Sequence, residues 1–232
     1  MTGTQALIRS GSESLPTSVY SVADCFGIRI TTYDEFTRVY DISRQDLYAY
    51  ASRGGFSMLV EGRFLCVLNP CLCHQPRRKW TAAHELGHIL SGHIVSESCT
   101  PTPEQEKEAD RFAAELLAPL TVLHFCGVSS AAEIERLCGI SRQAAEIRFA
   151  ELTRLRREQE DLYRSGLRNI ADLSADEIPE YTEPRSVFLR RDIDRELFVQ
   201  FSPFISSYIS RRAAHDGYEQ YLARLNRQPM AI

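Results

Sequence analysis

The feature that most constrains this 232-residue chain is the string His84-Glu85-Leu86-Gly87-His88. Residues four apart on an α-helix stand one turn above each other, so the two imidazoles can converge on one ion while Glu85 approaches the same space without ligating. The flanking sequence supports a helix. From Arg77 to His93 there is no proline, and Trp80, Ala83, Leu86, Ile89 and Leu90 recur at helical spacing. A long core helix carrying two convergent imidazoles is expected here.

Such a pair needs a third ligand. Zinc in a hydrolytic site takes three protein ligands and keeps one position open, so a further donor must lie downstream. His93 is near, but at 100° per residue it falls about 180° around the helix from His84 and about 140° from His88, pointing away unless Gly92 breaks the helix. A surface or capping role is expected for it. The segment from Glu104 to Leu117 reads as a second helix whose buried stripe is Ala109, Phe112, Ala113, Leu116 and Leu117. With Ala109 at zero, Glu106 falls at about 60°, inside the stripe, whereas Glu108 falls at about 260° and Glu104 and Glu115 at roughly 220–240°, on the outer face. A carboxylate facing a core is costly unless paired or coordinated, which points Glu106 at a metal. The competing reading is a surface glutamate at the edge of the stripe. Asp110, one turn later on the same side, is placed to accept the second ring N–H of a ligand histidine and fix its tautomer.

The rest of the chain reads as α+β. Residues 1–15, rich in Ser, Thr and Gly, read as a flexible tail. Pro16 opens a short helix through Val19, Val22, Ala23 and Phe26, and Gly27 ends it before a strand at Ile28-Arg29-Ile30. A weakly periodic helix is expected from Asp34 to Ser52. Apolar runs from Phe56 to Val60 and from Arg63 to Leu68 flank Glu61-Gly62 and predict a hairpin in a small antiparallel sheet. Downstream, a capped helix ending at Cys138, a turn at Gly139-Ile140-Ser141 and a helix from Arg142 to about Glu160 resemble a helix-turn-helix; the alternative is an ordinary helical hairpin. The expected division is a tail (1–15), a metal-binding domain (16–125), a helix-turn-helix-like region (126–168) and a C-terminal extension (169–232) that is helical in patches.

Composition narrows the function classes. With 44% hydrophobic and 25% charged residues the chain can bury an ordinary core, and a net charge of -4 excludes nucleic-acid binding through bulk positive charge. The arginines of residues 129–160 are mixed with Glu133, Glu135, Glu146 and Glu151, so direct DNA binding is not favoured. No apolar run is long enough to span a membrane and the start lacks a signal-peptide pattern, so a cytoplasmic location with no membrane partner is expected. Seven cysteines without framework spacing suit reduced thiols. For Cys71-x-Cys73-His74, a second metal site or a redox role competes with small loop residues.

Two stretches together carry a resemblance: Arg77-Arg-Lys-Trp-Thr-Ala-Ala-His-Glu-Leu-Gly-His88, then Glu106-x-x-Ala-Asp-x-Phe-Ala-Ala-x-Leu-Leu-x-Pro119. They resemble the ImmA/IrrE family of metallopeptidases over roughly residues 16 to 155, including Cys138-Gly-Ile-Ser-Arg-Gln-Ala-Ala-Glu-Ile-Arg148. The resemblance implies a mostly helical, zincin-like α+β fold with one zinc ion (Zn2+) per chain on His84, His88 and Glu106, and Glu85 activating the water. Asp110 stands where the family commonly has Asn, and Ala118 where it has Met. It further implies a helix-turn-helix repressor as substrate, whose cleavage derepresses genes of a mobile element, a phage or a stress response. Two rival readings remain: a module that sequesters a DNA-binding partner around a structural or vestigial zinc site, and a DNA reader built on residues 129–160. For the oxyanion donor, Tyr181, His93 and the arginines stay open.

Overall fold

A computed structural model describes residues 1–43, 45, 47, 54–72, 74–95, 101–171 and 186–225. The chain order is α1 (Gly3–Arg9), α2 (Val19–Cys25), β1 (Arg29–Thr32), α3 (Tyr33–Tyr40), β2 (Gly55–Val60), β3 (Arg63–Leu68), α4 (Gln75–Leu90), α5 (Pro103–Leu117), α6 (Leu120–Phe125), α7 (Ala131–Cys138), α8 (Arg142–Ala171), a 3-10 turn (Val187–Leu189) and α9 (Asp192–Leu225). This is the expected α+β class, mostly helical around a small sheet. Among the described residues no helix is long and apolar enough to cross a membrane.

Glu61 and Gly62 both take positive φ, 49° and 74°, the twist that lets a two-residue turn join antiparallel strands. The hairpin runs from Val60 opposite Arg63 to Gly55 opposite Leu68, with Ser57 facing Cys66. The sheet is mixed, however, where a purely antiparallel one was expected. Its order is β1-β3-β2, and β1 lies parallel to β3, from Arg29 opposite Leu65 to Thr32 opposite Leu68. The long connection through α3 and β2 makes this pairing feasible, because parallel neighbours need a crossover and only the hairpin can use a tight turn. Alternation along β3 then divides the core: Cys66 and Leu68 join the main cluster with α4, while Leu65 and Val67 meet Tyr33 and Phe36 of α3 on the other face. The helix expected from Asp34 to Ser52 is not continuous: it stops at Tyr40, where Asp41 takes the left-handed conformation at φ 51° and ends it, and residues 44, 46 and 48–52 lie outside the described residues.

Helix α5 starts with a capping box, in which Thr102 accepts from the Gln105 backbone N–H and the Gln105 side chain accepts from Thr102, and Pro103 occupies the first turn. Its buried face is Ala109, Phe112, Ala113, Leu116 and Leu117, as the wheel predicts. Burying each leucine contributes roughly 1.5–3 kcal/mol. This face lies against α4, where a Cβ on Gly87 would stand 3.0 Å from Ala109 Cα and 3.2 Å from Phe112 Cβ. Glycine therefore sets how closely the two helices approach.

The N-terminal segment corrects the expectation of a flexible tail. Thr2 and Gln5 form a second capping box, Ala6 and Leu7 are fully buried, and a Cβ on Gly3 would meet the Phe112 carbonyl oxygen at 2.3 Å. The Ser and Thr content that suggested fraying instead supplies caps, and the short apolar stripe of α1 closes the back of α5. The C-terminal part is likewise more regular than helical patches. Its long helix α9 buries Leu197, Phe201 and Ile205, donates from Gln200 Nε2 to the Leu7 carbonyl at 3.0 Å, and donates from Tyr208 to Glu133 of α7 at 2.6 Å.

Helices α7 and α8 pack as a helical hairpin. Ser130 caps α7, and Gly139 ends it in the left-handed conformation at φ 62°. Lys79 of α4 donates to the Cys138 carbonyl at 2.6 Å, while the buried Arg148 of α8 donates to the Ala118 carbonyl at 3.0 Å. One apolar cluster joins Ala6, Leu86, Leu116, Ile134, Leu152 and Phe201 across all these helices. Gly3→Ala should lower stability by about 1–3 kcal/mol in urea unfolding, because the added methyl forces α1 off α5. A flexible tail would give no change.

Candidate metal centre

His84 and His88 stand one turn apart on α4, and Glu106 faces them from the first turn of α5. Their Nε2 atoms are 3.0 Å apart; Glu106 Oε2 lies 3.2 Å from His84 Nε2, and Oε1 lies 3.5 Å from His88 Nε2. Tetrahedral zinc with bonds near 2.0–2.1 Å would hold its donors about 3.3 Å apart, so these edges fit the ion. Two imidazole nitrogens and a carboxylate oxygen also suit zinc chemically. Among the described residues these three form the group whose donor atoms, all within 4.8 Å of one another, could hold a metal ion.

Each imidazole is oriented from behind. His84 Nδ1 lies 2.9 Å from Asp110 Oδ1, the contact expected from the spacing of Asp110. With Nδ1–H donating there, Nε2 keeps its lone pair toward Glu106. His88 is buried, and its pKa is pushed down to about 4 by burial, assisted by His84 and His93. Burial thus favours the neutral imidazole, the form that binds a metal.

His93 departs from its expected surface or capping role. Gly92 takes φ 77° and stops α4, so the chain doubles back and the His93 backbone N–H donates to the His88 carbonyl at 2.9 Å. The His93 ring is then 5% exposed, with Nδ1 at 3.1 Å from His88 Nδ1 and Nε2 at 3.2 Å from Glu108 Oε2. The order of donors follows from the chemistry. If His88 Nε2 keeps its lone pair, His88 Nδ1–H donates to His93 Nδ1, and His93 Nε2–H donates to Glu108. Glu108, expected on the outer face, is half exposed yet reaches this ring. The helix-breaking glycine was the signal for the arrangement, since a glycine just past a helix end commonly reverses the chain.

Glu106 sits at the rim of the core: its side chain is 49% exposed. The wheel puts it about 60° from Ala109, inside the stripe and facing the core, but the buried face of α5 begins only at Ala109, so Glu106 in the first turn stays half in water and reaches both histidines from the stripe's edge. Glu85 is the buried carboxylate, 8% exposed, and its Oε2 accepts a 2.8 Å hydrogen bond from Ser57 of β2. Burial pushes its pKa up, opposed by the Ser57 hydrogen bond and the nearby His84. Nothing local in the sequence marks Ser57, because only the hairpin register brings it under α4.

Other expectations have different outcomes. Cys71 is exposed, and its backbone N–H donates to Asn69; His74 occupies the N-cap position of α4 without a capping hydrogen bond; Cys73 lies outside the described residues. Cys25, Cys66, Cys71, Cys126 and Cys138 are free thiols. Tyr181 also lies outside the described residues, and His93 is engaged with His88 and Glu108.

A convergent His-His-Glu set on two packed helices, with a buried glutamate between the histidines in sequence and a small sheet beneath, defines a metallopeptidase-like domain. The chain belongs to the family described as the IrrE N-terminal-like domain, a peptidase family whose profile matches residues 24–150. No curated protein matches the chain. His93→Phe should leave the His88 Nδ1–H without an acceptor and weaken the affinity of the cluster for an added divalent metal about 10- to 100-fold in competition with a chromogenic chelator. His93→Asn, which retains an acceptor oxygen, should lose less.

Proposed function

We propose that this protein is a zinc-dependent endopeptidase that cleaves a helix-turn-helix transcriptional repressor in the cytoplasm and so derepresses the genes it controls. The observation that carries the hydrolytic reading is Glu85, a buried carboxylate beside three convergent donors but outside the donor set. A structural zinc site normally closes with four protein ligands and has no use for a neighbouring base. Among the described residues three side chains converge, a number that suits a site with a position for reactants.

In this reading His84, His88 and Glu106 hold the ion, and bound zinc supplies Lewis acidity for hydrolysis. Asp110 and His93 keep the two imidazoles turned toward it. Ser57 occupies one oxygen of Glu85, leaving Oε1 to accept a proton from the attacking water and later deliver it to the leaving amine. The repressor as substrate rests on the resemblance to ImmA/IrrE peptidases, and the mixed charge of residues 129–160, with the Lys79 hydrogen bond that ties the end of α7 to α4, supports a helical hairpin over a DNA reader built on those residues.

A gel assay of zinc-loaded protein with the helix-turn-helix regulator encoded nearest its gene tests the proposal, with Glu85→Gln as control. The wild type should cut the regulator, and Glu85→Gln should retain zinc while losing about 10²- to 10⁴-fold in rate. Wild-type rate in that variant would remove Glu85 as the base. A stable complex without cleavage would favour the sequestering module.

A further inference from the structure

One turn from the metal cluster, α4 and α5 open into a cavity of about 470 Å³. Its apolar lining is Trp80 from α4, Ala114 from α5, Ile140 from the α7–α8 turn, and Ala144 and Ile147 from α8. Trp80 precedes His84 by four residues and Ala114 follows Asp110 by four, so both lie on the helix faces that carry the metal cluster. The two helices run antiparallel across this face. His88 meets Glu106, His84 meets Asp110, and Trp80 and Ala114 border the same cavity as the next pair in the series.

The scale suits a bound polypeptide. Four helical residues advance about 6 Å, and an extended peptide advances about 3.3 Å per residue, so a chain with its carbonyl at the donors would place a nearby side chain in the cavity. Of the charged lining, buried Arg148 donates to the Ala118 carbonyl and pairs with Glu151, and Arg77 is exposed to solvent. Ile147, by contrast, is a large apolar side chain left 56% exposed at the cavity. An apolar lining next to a polar reaction centre is the usual make-up of a pocket that binds an apolar group.

We propose that this cavity is the specificity subsite of the peptidase, receiving a bulky apolar side chain, aromatic or branched aliphatic, within two residues of the scissile bond. The proposal rests on the endopeptidase reading above and extends it to substrate selection. The α7–α8 hairpin thereby gains a part in catalysis, since Ile140, Ala144 and Ile147 form the far wall of the cavity.

The test is cleavage of a mixed peptide library, together with the candidate regulator, by the zinc-loaded full-length protein, with Glu85→Gln as control and cut sites read by mass spectrometry. Wild type should enrich bulky apolar residues at one position beside the cut, with a kcat/KM ratio of Phe over Ala there of about 10- to 200-fold. Ile147→Glu should reduce that ratio at least about tenfold, and Ala144→Leu, which narrows the cavity, should shift selection toward smaller side chains. Ile147 is solvent-exposed, so the charged variant should fold, and an unchanged zinc stoichiometry and melting curve verify this. Cleavage without such enrichment, or with a ratio unchanged in both variants, overturns the subsite and leaves the peptidase standing. Absence of any Glu85-dependent cleavage overturns the peptidase reading, and the subsite with it.

Discussion

The close approach of α4 and α5 at Gly87 and Ala109 is the contact on which the rest of the site depends. Any larger residue at Gly87 would press on the Ala109 backbone, where the nearest atoms already stand 3.0 and 3.1 Å from a hypothetical Cβ. Because the helices meet there, Glu106, three residues before Ala109, comes within 3.5 Å of both motif histidines. The metal-capable cluster is thus a consequence of helix packing, itself driven by the apolar faces of α4 and α5. Helix α1 adds to this from behind, where Gly3 packs on the Phe112 carbonyl.

Polarity at the site is graded. Glu106, Asp110 and Glu108 project from α5 with about half of each side chain in water, so their charges are screened and inexpensive to keep. His88, His93 and Glu85 are buried, and each has a hydrogen-bond partner. Burial holds His88 neutral and raises Glu85, so the interior groups favour a lone pair ready to ligate and a carboxyl group able to hold a proton. Carboxylates at the rim orient imidazoles in the interior: Asp110 acts directly on His84, and Glu108 acts through His93 on His88.

The elements beyond the peptidase core are joined to it. Lys79 links α4 to the end of α7, Arg148 links α8 to the chain leaving α5, and Tyr208 and Arg212 of α9 converge on Glu133 of α7. Burial lowers the pKa of both Lys79 and Arg148, and each retains a carbonyl partner that compensates part of the desolvation. The helical hairpin is therefore tied to the helices that carry the metal-capable cluster.

Much of this was legible in the sequence because it is local. Helical periodicity placed His84, Glu85 and His88 on one helix and separated Glu106 and Asp110 from Glu104 and Glu115, since side-chain direction on a helix depends only on residue count. The hairpin at Glu61-Gly62 was legible for the same reason. The parallel pairing of β1, the docking of α1, the contact of Ser57 with Glu85, the return of His93 onto His88 and the half-exposed setting of Glu106 were decided by tertiary structure. Each depends on contacts between segments or on a chain reversal, and a wheel drawn along one straight helix represents neither. The sequence by itself determined which residues could face a metal; the packing of α4 against α5 and against the sheet decided which of them meet, because a side chain's partners are set by the surface that covers it.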